Sequence, residues 1–231
     1  MTASAPRRRL LLLGRGRMGR LIESLSPEYG FTVAGWVDED NARRPADWAD
    51  ADVAIDFTTP EAVPSNFPHL ARRGLAVVIG TTGWSAHEAA IRREAEARQL
   101  GVVAAPNFAL GVSLFGAIAA RAAELMSRRP DFGAWLHELH HATKKDAPSG
   151  TALALLQIMR DAGYSAGIDV SSARAGAIPG THTIGFDGGG ETITLTHTAR
   201  DRSIFARGAL EAARWVHGRQ GWFTMKDVLG F

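Results

Sequence analysis

The sequence predicts an α/β protein with a doubly wound parallel sheet, followed by a smaller α+β domain with a mixed sheet. Three observations support this fold class. Short apolar segments alternate with helix-like segments in the first half of the chain. These apolar segments are nearly uninterrupted, as in parallel strands that are covered on both faces. Towards the C-terminal end apolar residues alternate with polar ones, which is typical of a sheet with one exposed face.

The first half of the chain supplies the parallel sheet. Its first apolar segment is followed by a glycine-rich turn and a helix-like segment, and the alternation of strand and helix then continues. Parallel strands require crossover connections of this kind. The predicted strands are 9–13, 31–37, 53–57, 75–79 and 102–105, and the predicted helices are 21–25, 61–73 and 85–99.

The pattern changes after residue 108, where a long apolar helix replaces the short alternating segments. The remaining predicted elements are helices over 110–126, 151–162 and 205–216, strands over 135–140, 181–186 and 191–199, and a short apolar segment over 225–229. We therefore expect one domain from residues 1–108 and 206–231, and a second domain from residues 109–205.

Composition excludes several classes of protein. The chain has 231 residues with 45% hydrophobic and 22% charged residues, which is ordinary for a globular protein. The formal net charge is +2 and no basic tract is present, so we expect no nucleic-acid partner. There is no cysteine, which removes thiolate chemistry and fits a cytoplasmic location.

The N-terminal pattern resembles an export signal only superficially. Arg7 to Arg9 precede an apolar run, but that run stops after Leu13, which is too short for a signal peptide. No later stretch is long enough to span a membrane, so we expect no membrane partner. We interpret the segment as a basic tail that leads into a buried strand.

The turn after the first strand reads G-R-G-R-M-G and predicts a dinucleotide site in a Rossmann-type sheet. Its glycines allow the backbone to approach a pyrophosphate at a helix N-terminus. Asp38 lies 19 residues past Gly19, where a ribose-binding carboxylate belongs. The alternative is a tight turn in a flavodoxin-like domain. The candidate cofactor residues are Gly14, Gly16, Arg17, Met18, Gly19 and Asp38.

Two further loops end neighbouring strands of the same predicted sheet. One is G-T-T-G, with Gly80, Thr81 and Thr82, and the other is A-P-N-F, over residues 105–108. Ligands bind at this edge of such sheets. Each loop by itself is more often structural, but three loops on one edge favour a cofactor crevice.

The segment from Glu138 to Ala152, E-L-H-H-A-T-K-K-D-A-P-S-G-T-A, indicates proton transfer. Only three of the 26 basic residues are lysine, and two of them, Lys144 and Lys145, follow the pair His140 and His141. Lysine in a partly desolvated site and histidine both release protons near neutral pH, whereas arginine does not. The alternatives are ordinary loop histidines or a metal site, but no spacing matches a metal pattern, so we expect no metal.

The P-S-G-T turn in that segment has two interpretations that are compatible. Ser149 is a plausible N-cap for the helix that follows. Free N–H groups at the start of a helix also attract a carboxylate.

The chain resembles the 4-hydroxy-tetrahydrodipicolinate reductase family, also called dihydrodipicolinate reductase. The signature E-x-H-H-x-x-K-x-D-x-P-S-G-T-A matches at every fixed position from Glu138 to Ala152. Supporting matches run nearly from end to end: G-R-M-G over 16–19, D-F-T-x-P over 56–60, G-T-T-G over 80–83, N-F-x-x-G-V over 107–112 and R-x-x-F-x-x-G-A over 202–209. The chain departs from the family in a glycine loop that is one residue shorter and in a shorter second domain.

The resemblance implies reduction of a cyclic imine dicarboxylate by NADH or NADPH, in diaminopimelate and lysine biosynthesis. It implies that the first domain binds the dinucleotide and that the second binds substrate and forms a homotetramer. His140 would give or accept a proton and Lys144 would donate one. The implied carboxylate-binding residues are His141, Ser149, Gly150 and Thr151, and those near the nicotinamide are Gly80, Thr81, Thr82, Ala105, Pro106, Asn107 and Phe108.

The residues after the second strand bear on the choice of cofactor. Three carboxylates, those of Asp38, Glu39 and Asp40, lie where NADPH would place its additional phosphate. Repulsion between like charges disfavours binding of that phosphate. Against this, arginine can bind a phosphate in a bidentate manner, and four arginines are nearby in sequence: Arg15 and Arg17 in the glycine turn, and Arg43 and Arg44 beyond the acids. We expect NADH to be preferred or both cofactors to be used.

Two other functions were weighed against the reductase. A catalytically silent dinucleotide-binding sensor would keep the glycine loop and lose the proton donors, but His140 and Lys144 are both present. A semialdehyde dehydrogenase of similar architecture would need a cysteine nucleophile, and the chain has none.

Overall fold

The computed structural model describes residues 7–231, which divide into two compact units. The first unit contains residues 7–110 and Ser203–Phe231, and the second contains Gly111–Arg202. The part of the predicted basic tail before residue 7 lies outside the described residues. Arg8 also belongs to the first strand, which begins one residue earlier than predicted. Among the described residues, no helix is long and apolar enough to cross a membrane.

Ten strands and seven helices make up the described chain, together with three short 3-10 turns. The strands are β1 (Arg8–Leu13), β2 (Phe31–Val37), β3 (Val53–Asp56), β4 (Ala76–Ile79), β5 (Gly101–Ala104), β6 (Gly133–His140), β7 (Ile168–Arg174), β8 (Thr181–Asp187), β9 (Thr192–Thr198) and β10 (Gly221–Phe223). The helices are α1 (Arg17–Leu25), α2 (Ala62–Arg72), α3 (Glu88–Ala97), α4 (Leu110–Met126), α5 (Gly150–Asp161), α6 (Ser203–Val216) and α7 (Met225–Leu229).

The first unit is a six-stranded parallel sheet in the order β10-β5-β4-β3-β1-β2. Helices cover both faces, so successive residues of β1 are buried on opposite sides. Leu10 and Leu12 pack into one apolar cluster, and Leu11 and Leu13 pack into the other. This explains why β1 reads as an unbroken apolar run. The strand order reverses between β1 and β3, the place where such sheets bind ligands.

The second unit is a mixed sheet in the order β7-β6-β8-β9, with β6 and β7 parallel and the other pairs antiparallel. Helices α4 and α5 pack on one face of this sheet, where Leu136 and Ile184 meet Phe115 and Leu155. The other face, the open face, carries partly exposed residues such as Trp135. The predicted fold class is therefore confirmed.

Three elements were not anticipated correctly. Strand β7 lies in a segment that reads as glycine-rich, and its middle residues are exposed, so it carries little apolar signal. Strand β10 is only three residues long and is recognisable only by pairing with β5. The segment predicted as short and apolar is helix α7, which begins with a capping box between Thr224 and Asp227.

Helix α6 lies unusually close to the loop after β5. A Cβ atom on Gly208 would be 1.6 Å from the carbonyl oxygen of Phe108, so only glycine fits there. The glycine of the R-x-x-F-x-x-G-A motif is thus explained by packing within the first unit.

We expect Gly208→Ala to lower the free energy of unfolding by at least about 2 kcal/mol. Glycine to alanine within a helix normally stabilises by about 1 kcal/mol, so the clash would reverse the sign. The matched control is Gly116→Ala in α4, where the new Cβ would lie 3.1 Å from the mobile end of Ile158. Urea denaturation of both variants measures the difference, and a Gly208→Ala protein as stable as wild type would contradict the close approach.

Candidate functional site

The first unit has a cavity of about 650 Å³ at the carboxyl ends of β1, β2 and β3. It lies where the strand order reverses, as expected for a ligand site in such a sheet. Its lining residues are Gly14, Arg15, Gly16, Val37, Asp38, Glu39, Asp40, Ala42, Phe57, Thr58, Thr59, Ala62 and Asn66.

The three glycines of the turn after β1 have separate structural roles. Gly14 has a φ of +94°, and a Cβ there would lie 2.4 Å from the carbonyl oxygen of Phe57. A Cβ on Gly19 would lie 2.2 Å from the carbonyl oxygen of Gly14. Gly16, the N-cap of α1, has nothing within 4 Å of its Cβ position and offers no capping side chain. The turn thus holds α1 against the sheet and leaves its N-terminal N–H groups approachable.

The two residues between Gly16 and Gly19 differ in their surroundings. Arg17 is exposed at the first position of α1, whereas Met18 is partly buried against the core of the first unit. Their backbone N–H groups lie in the first turn of α1, where N–H groups have no hydrogen-bond acceptor within the helix.

An acidic edge follows β2 and lines the same cavity. The Asp38 carboxylate accepts the Asp40 N–H at 3.1 Å, and Arg15 Nη1 lies 4.0 Å from Asp38 Oδ2. The Arg15 guanidinium lies 5.8 Å from the ring centre of Trp36. One cation therefore faces three carboxylates at this edge among the residues that line the cavity.

The loop after β4 is fixed by Asp56 at the end of β3. The N–H groups of Gly80 and Thr81 donate to the Asp56 carbonyl oxygen at 2.9 and 3.3 Å. The Asp56 side chain accepts hydrogen bonds from Thr58 and Thr81, while burial raises the pKa of its carboxyl group. A Cβ on Gly80 would lie 2.2 Å from the Phe57 ring, whereas Thr82 is exposed.

The loop after β5 contains the remaining candidate cofactor residues. Asn107 Oδ1 accepts the Ala109 N–H at 2.8 Å, and Phe108 is buried with its ring 6.1 Å from that of Phe57. Only the backbone of Phe108 can therefore face a ligand. Ala105 is partly buried and Pro106 is exposed. In the described chain neither this loop nor residues 80–82 line the 650 Å³ cavity.

The second unit contains a group of buried polar side chains at the end of β6, which we call the buried polar cluster. Alternation along β6 points Glu138 and His140 to the covered face of the sheet. The cluster consists of Glu138, His140, Ser149, Arg174 and His182.

Glu138 is the centre of this cluster and is fully buried. One carboxylate oxygen contacts His140 Nδ1, and the other accepts from Arg174 Nη2 at 2.7 Å and from the Ser149 N–H at 3.3 Å. Burial by itself raises the pKa of Glu138, but hydrogen bonds from Arg174, Ser172 and His140 outweigh it and lower the pKa to about 2. Glu138 is therefore ionised and only accepts hydrogen bonds.

The two histidines of the cluster meet edge to face, with ring centres 5.1 Å apart. Burial lowers the pKa of His140, and the charges of Lys144 and Arg174 act in the same direction against the opposing effect of Glu138. Ser149 Oγ accepts the Ala152 N–H at 3.2 Å and forms a hydrogen bond with His182 Nε2 at 3.1 Å. Burial, followed by the charge of His140, lowers the pKa of His182 to about 4.

The other predicted substrate residues surround the start of α5. Lys144 Nζ donates to both carboxylate oxygens of Asp146 at 2.7 and 2.8 Å. His141 Nδ1 contacts Thr143 Oγ1 at 2.8 Å. Gly150 is exposed with open space around it, and Thr151 is partly exposed. The structure thus brings His140 and Ser149 together and leaves Lys144, His141 and Gly150 more accessible.

Metal binding can be judged from the donor atoms. Glu138, His140 and His182 offer ligand atoms within 4.8 Å of one another. However, Arg174 already contacts the same carboxylate, and Ser149 occupies His182 Nε2. His137, a third histidine on β6, contacts Ser171 Oγ at 2.7 Å. The expectation of no metal site remains a prediction.

Two members of the buried polar cluster were missed by sequence reasoning, and one was left without a role. Arg174 lies on β7, a strand that the sequence does not reveal. His182 lies on β8 in an ordinary alternating strand, and only its packing shows that it is buried. Glu138 is the first fixed residue of the signature segment, and this place in the motif is the sequence feature that could have pointed to a role for it.

Comparisons with known proteins agree over nearly the whole chain. The family models described as dihydrodipicolinate reductase, N-terminus, and dihydrodipicolinate reductase, C-terminus, match residues 8–108 and 111–229. The chain is 35% identical to the 4-hydroxy-tetrahydrodipicolinate reductase of Christiangramia forsetii, over 95% of this chain and 97% of the relative. It is 41% identical to the reductase of that name from Myxococcus xanthus, over 83% and 77%.

A solved structure shows the same fold. The dipicolinate-bound dihydrodipicolinate reductase from Paenisporosarcina sp. TG-14 aligns with a TM-score of 0.80 and 24% identity, over 94% of this chain and 97% of that chain. At this identity the likeness concerns the fold alone.

The low pKa of His182 predicts acid-sensitive stability. The unfolded chain binds a proton at His182 below its ordinary pKa of 6.5, whereas the folded chain resists protonation until about pH 4. Stability is therefore lost as pH falls from 6.5 to 4, by about 2 kcal/mol at pH 5.

We expect His182→Gln to lose less stability than wild type between pH 7 and pH 5, as measured by urea denaturation. The exposed His87→Gln variant controls for removal of an imidazole. Parallel pH dependence of wild type and His182→Gln would contradict a neutral, buried His182.

Proposed function

The chain belongs to the dihydrodipicolinate reductase family, and from that premise we propose that it reduces 4-hydroxy-tetrahydrodipicolinate to tetrahydrodipicolinate with a reduced nicotinamide dinucleotide. The resemblance read from the segment 138–152 is confirmed by the family match. The reaction belongs to diaminopimelate and lysine biosynthesis. The observation that carries the proposal is the buried contact of His140 with Glu138 beside the start of α5.

That contact favours an enzyme over a silent sensor. Burying an ionised carboxylate is costly unless it is paired, and Glu138 is paired with Arg174 and His140. A sensor that only binds a dinucleotide has no need of a held imidazole in its second unit. The chain therefore contains a histidine that is held in place for acid–base chemistry.

The first unit fits a dinucleotide cofactor. The open side of Gly16 and the N–H groups at the start of α1 suit a pyrophosphate, and Asp38 suits the adenosine ribose. Bound reduced nicotinamide supplies a hydride. We assign Gly14, Gly16, Arg17, Met18, Gly19 and Asp38 to the adenosine and pyrophosphate half, and Gly80, Thr81, Thr82, Ala105, Pro106, Asn107 and Phe108 to the nicotinamide half.

The second unit is assigned to the substrate. Ser149 caps α5 through its hydroxyl at the Ala152 N–H, and the Gly150 N–H hydrogen-bonds to the Asp146 carboxylate. We assign the N–H groups of Gly150 and Thr151 to a substrate carboxylate, which would replace Asp146 at this helix start. His141, next to this turn, can contact the second carboxylate. One carboxylate of the cyclic substrate would thus meet a helix N-terminus.

We assign the proton transfers to Lys144 and His140. Lys144 Nζ donates to the Asp146 carboxylate at 2.7 Å. We assign this side chain as the proton donor to the reduced ring. His140 is held at Nδ1 and gives or accepts a proton elsewhere in the same reaction.

The proposal extends to assembly and location. The open face of the second unit, with Trp135, Leu139 and Thr183, is partly exposed and is assigned to a homotetramer interface as in the family resemblance. The absence of cysteine fits a cytoplasmic enzyme.

We expect Lys144→Ala to reduce kcat by about 10²- to 10⁴-fold, the usual contribution of a general acid. Lys145→Ala is the matched control, because Lys145 is an adjacent, exposed lysine. Oxidation of the reduced cofactor with the cyclic substrate is followed by absorbance. Equal activity of the two variants would contradict the role of Lys144.

The acidic edge of the cavity leads to a prediction about cofactor choice. Arg44 donates to the Asp40 carbonyl oxygen and pairs with Asp47, whereas Arg15 lines the cavity itself. We propose that NADH is preferred or that both cofactors are used.

We expect kcat/KM for NADH to be at least equal to that for NADPH at one ionic strength. Asp38→Ser should shift the ratio towards NADPH by removing a like charge, whereas Asp50→Ser, at an exposed carboxylate outside the cavity lining, should leave it unchanged. A wild-type preference for NADPH of tenfold, or about 1.4 kcal/mol, would show that Arg15 outweighs the carboxylates.

A further inference from the structure

We propose that Glu138 is the positioning residue for His140, and that its carboxylate makes Nε2 the nitrogen of His140 that exchanges a proton with the substrate. This inference rests on the function proposed above. It concerns a residue at the start of the signature segment that has no role in the assignments made so far.

The contacts of Glu138 determine how the imidazole is held. Its Oε2 contacts His140 Nδ1, while its Oε1 is occupied by Arg174 Nη2 at 2.7 Å. An ionised carboxylate accepts and cannot donate, so His140 Nδ1 carries the hydrogen in this contact. The lone pair of neutral His140 is therefore on Nε2.

The surroundings of Nε2 agree with this assignment. A Cβ on residue 180 would lie 3.0 Å from His140 Nε2, and Gly180 has a φ of +151°, which L side chains rarely adopt. Any side chain at position 180 would therefore crowd the His140 ring at Nε2. Glycine there keeps that nitrogen free of a neighbouring side chain.

Glu138 also connects His140 to the proposed substrate residues. The Ser149 N–H donates to the same carboxylate at 3.3 Å, at the residue that caps α5. Arg174 Nη2 donates both to Glu138 and to the Asp146 carbonyl oxygen, at 2.5 Å, and Asp146 holds Lys144. A single carboxylate therefore fixes the relative positions of the proton-transfer groups and the carboxylate-binding turn.

The charge of Glu138 matters as much as its geometry. The titratable and charged groups that act on His140 are Glu138 on the same strand, His182 on β8, Arg174 on β7 and Lys144 in the loop. Of these described groups only Glu138 is an anion. It therefore stabilises the imidazolium that forms when His140 takes up a proton, as a carboxylate does for a catalytic histidine in hydrolases.

The test is Glu138→Gln. The amide can offer its oxygen to Arg174 and its NH₂ to His140, which would turn Nδ1 into an acceptor and place the hydrogen on Nε2. We expect kcat to fall at least tenfold while KM changes less, in line with the loss of a group that orients a reactive histidine. The limb of the kcat/KM pH profile that reports His140 should move to lower pH, because the anion that contacts the ring is removed.

Nitrogen-15 NMR of histidine-labelled protein reads the tautomer of His140 directly, with His140→Asn for the resonance assignment. Glu124→Gln is the matched control, since it makes the same substitution at an exposed ion pair with Arg121. Thermal unfolding and binding of pyridine-2,6-dicarboxylate show whether each variant is folded. If Glu138→Gln does not fold, Glu138→Asp keeps the charge and should keep the wild-type tautomer with partial activity.

The outcomes separate this inference from the proposed function. A change of tautomer with a shifted pH limb supports the positioning role. An unchanged tautomer and an unchanged pH limb, with kcat and dicarboxylate affinity falling together, would overturn it and leave Glu138 as the partner of Arg174 alone. Wild-type protein that does not reduce the cyclic substrate would refute the proposed function, whereas the tautomer measurement would still decide the role of Glu138.

Discussion

The buried carboxylate of Glu138 is the interaction on which the second unit depends. An ion withdrawn from water costs several kcal/mol unless its hydrogen-bonding capacity is met. Here Arg174, His140 and the backbone of Ser149 all meet that need. The arrangement ties β6 to β7 and to the start of α5, so the same contacts that stabilise the unit also place its reactive side chains.

The first unit depends on a different constraint, which is the close approach of backbone to backbone. Gly14 and Gly19 bring α1 against the sheet, and Gly208 brings α6 against the carbonyl of Phe108. None of these contacts tolerates a Cβ atom. Gly16, by contrast, is open, so the same short turn combines tight packing with a free approach to the N-terminus of α1. A dinucleotide-binding turn needs both properties.

The two units also differ in the charge of their candidate ligand sites. The cavity of the first unit has an acidic edge, which suits hydroxyl groups of a ribose better than an added phosphate. The site of the second unit combines Lys144, His141 and a helix N-terminus, all of which suit an anionic ligand. In the proposed function these charges act on different groups, namely the adenosine ribose in the first unit and the substrate carboxylates in the second.

The sequence by itself determined the fold class, the glycine turn, the acidic edge and the family, because periodicity and local spacing depend on neighbours along the chain. It also placed His140, Lys144 and the α5 turn in one segment. Only the tertiary structure decided that Arg174 and His182 join them, because these residues come from β7 and β8. Arg174 is 36 residues from its partner Glu138, and His182 is 33 residues from its partner Ser149. The pairing of Glu138 with Arg174 depends on strand register in a sheet whose β7 edge carries no apolar pattern. Local sequence cannot encode that register, since it is fixed by hydrogen bonds between distant segments.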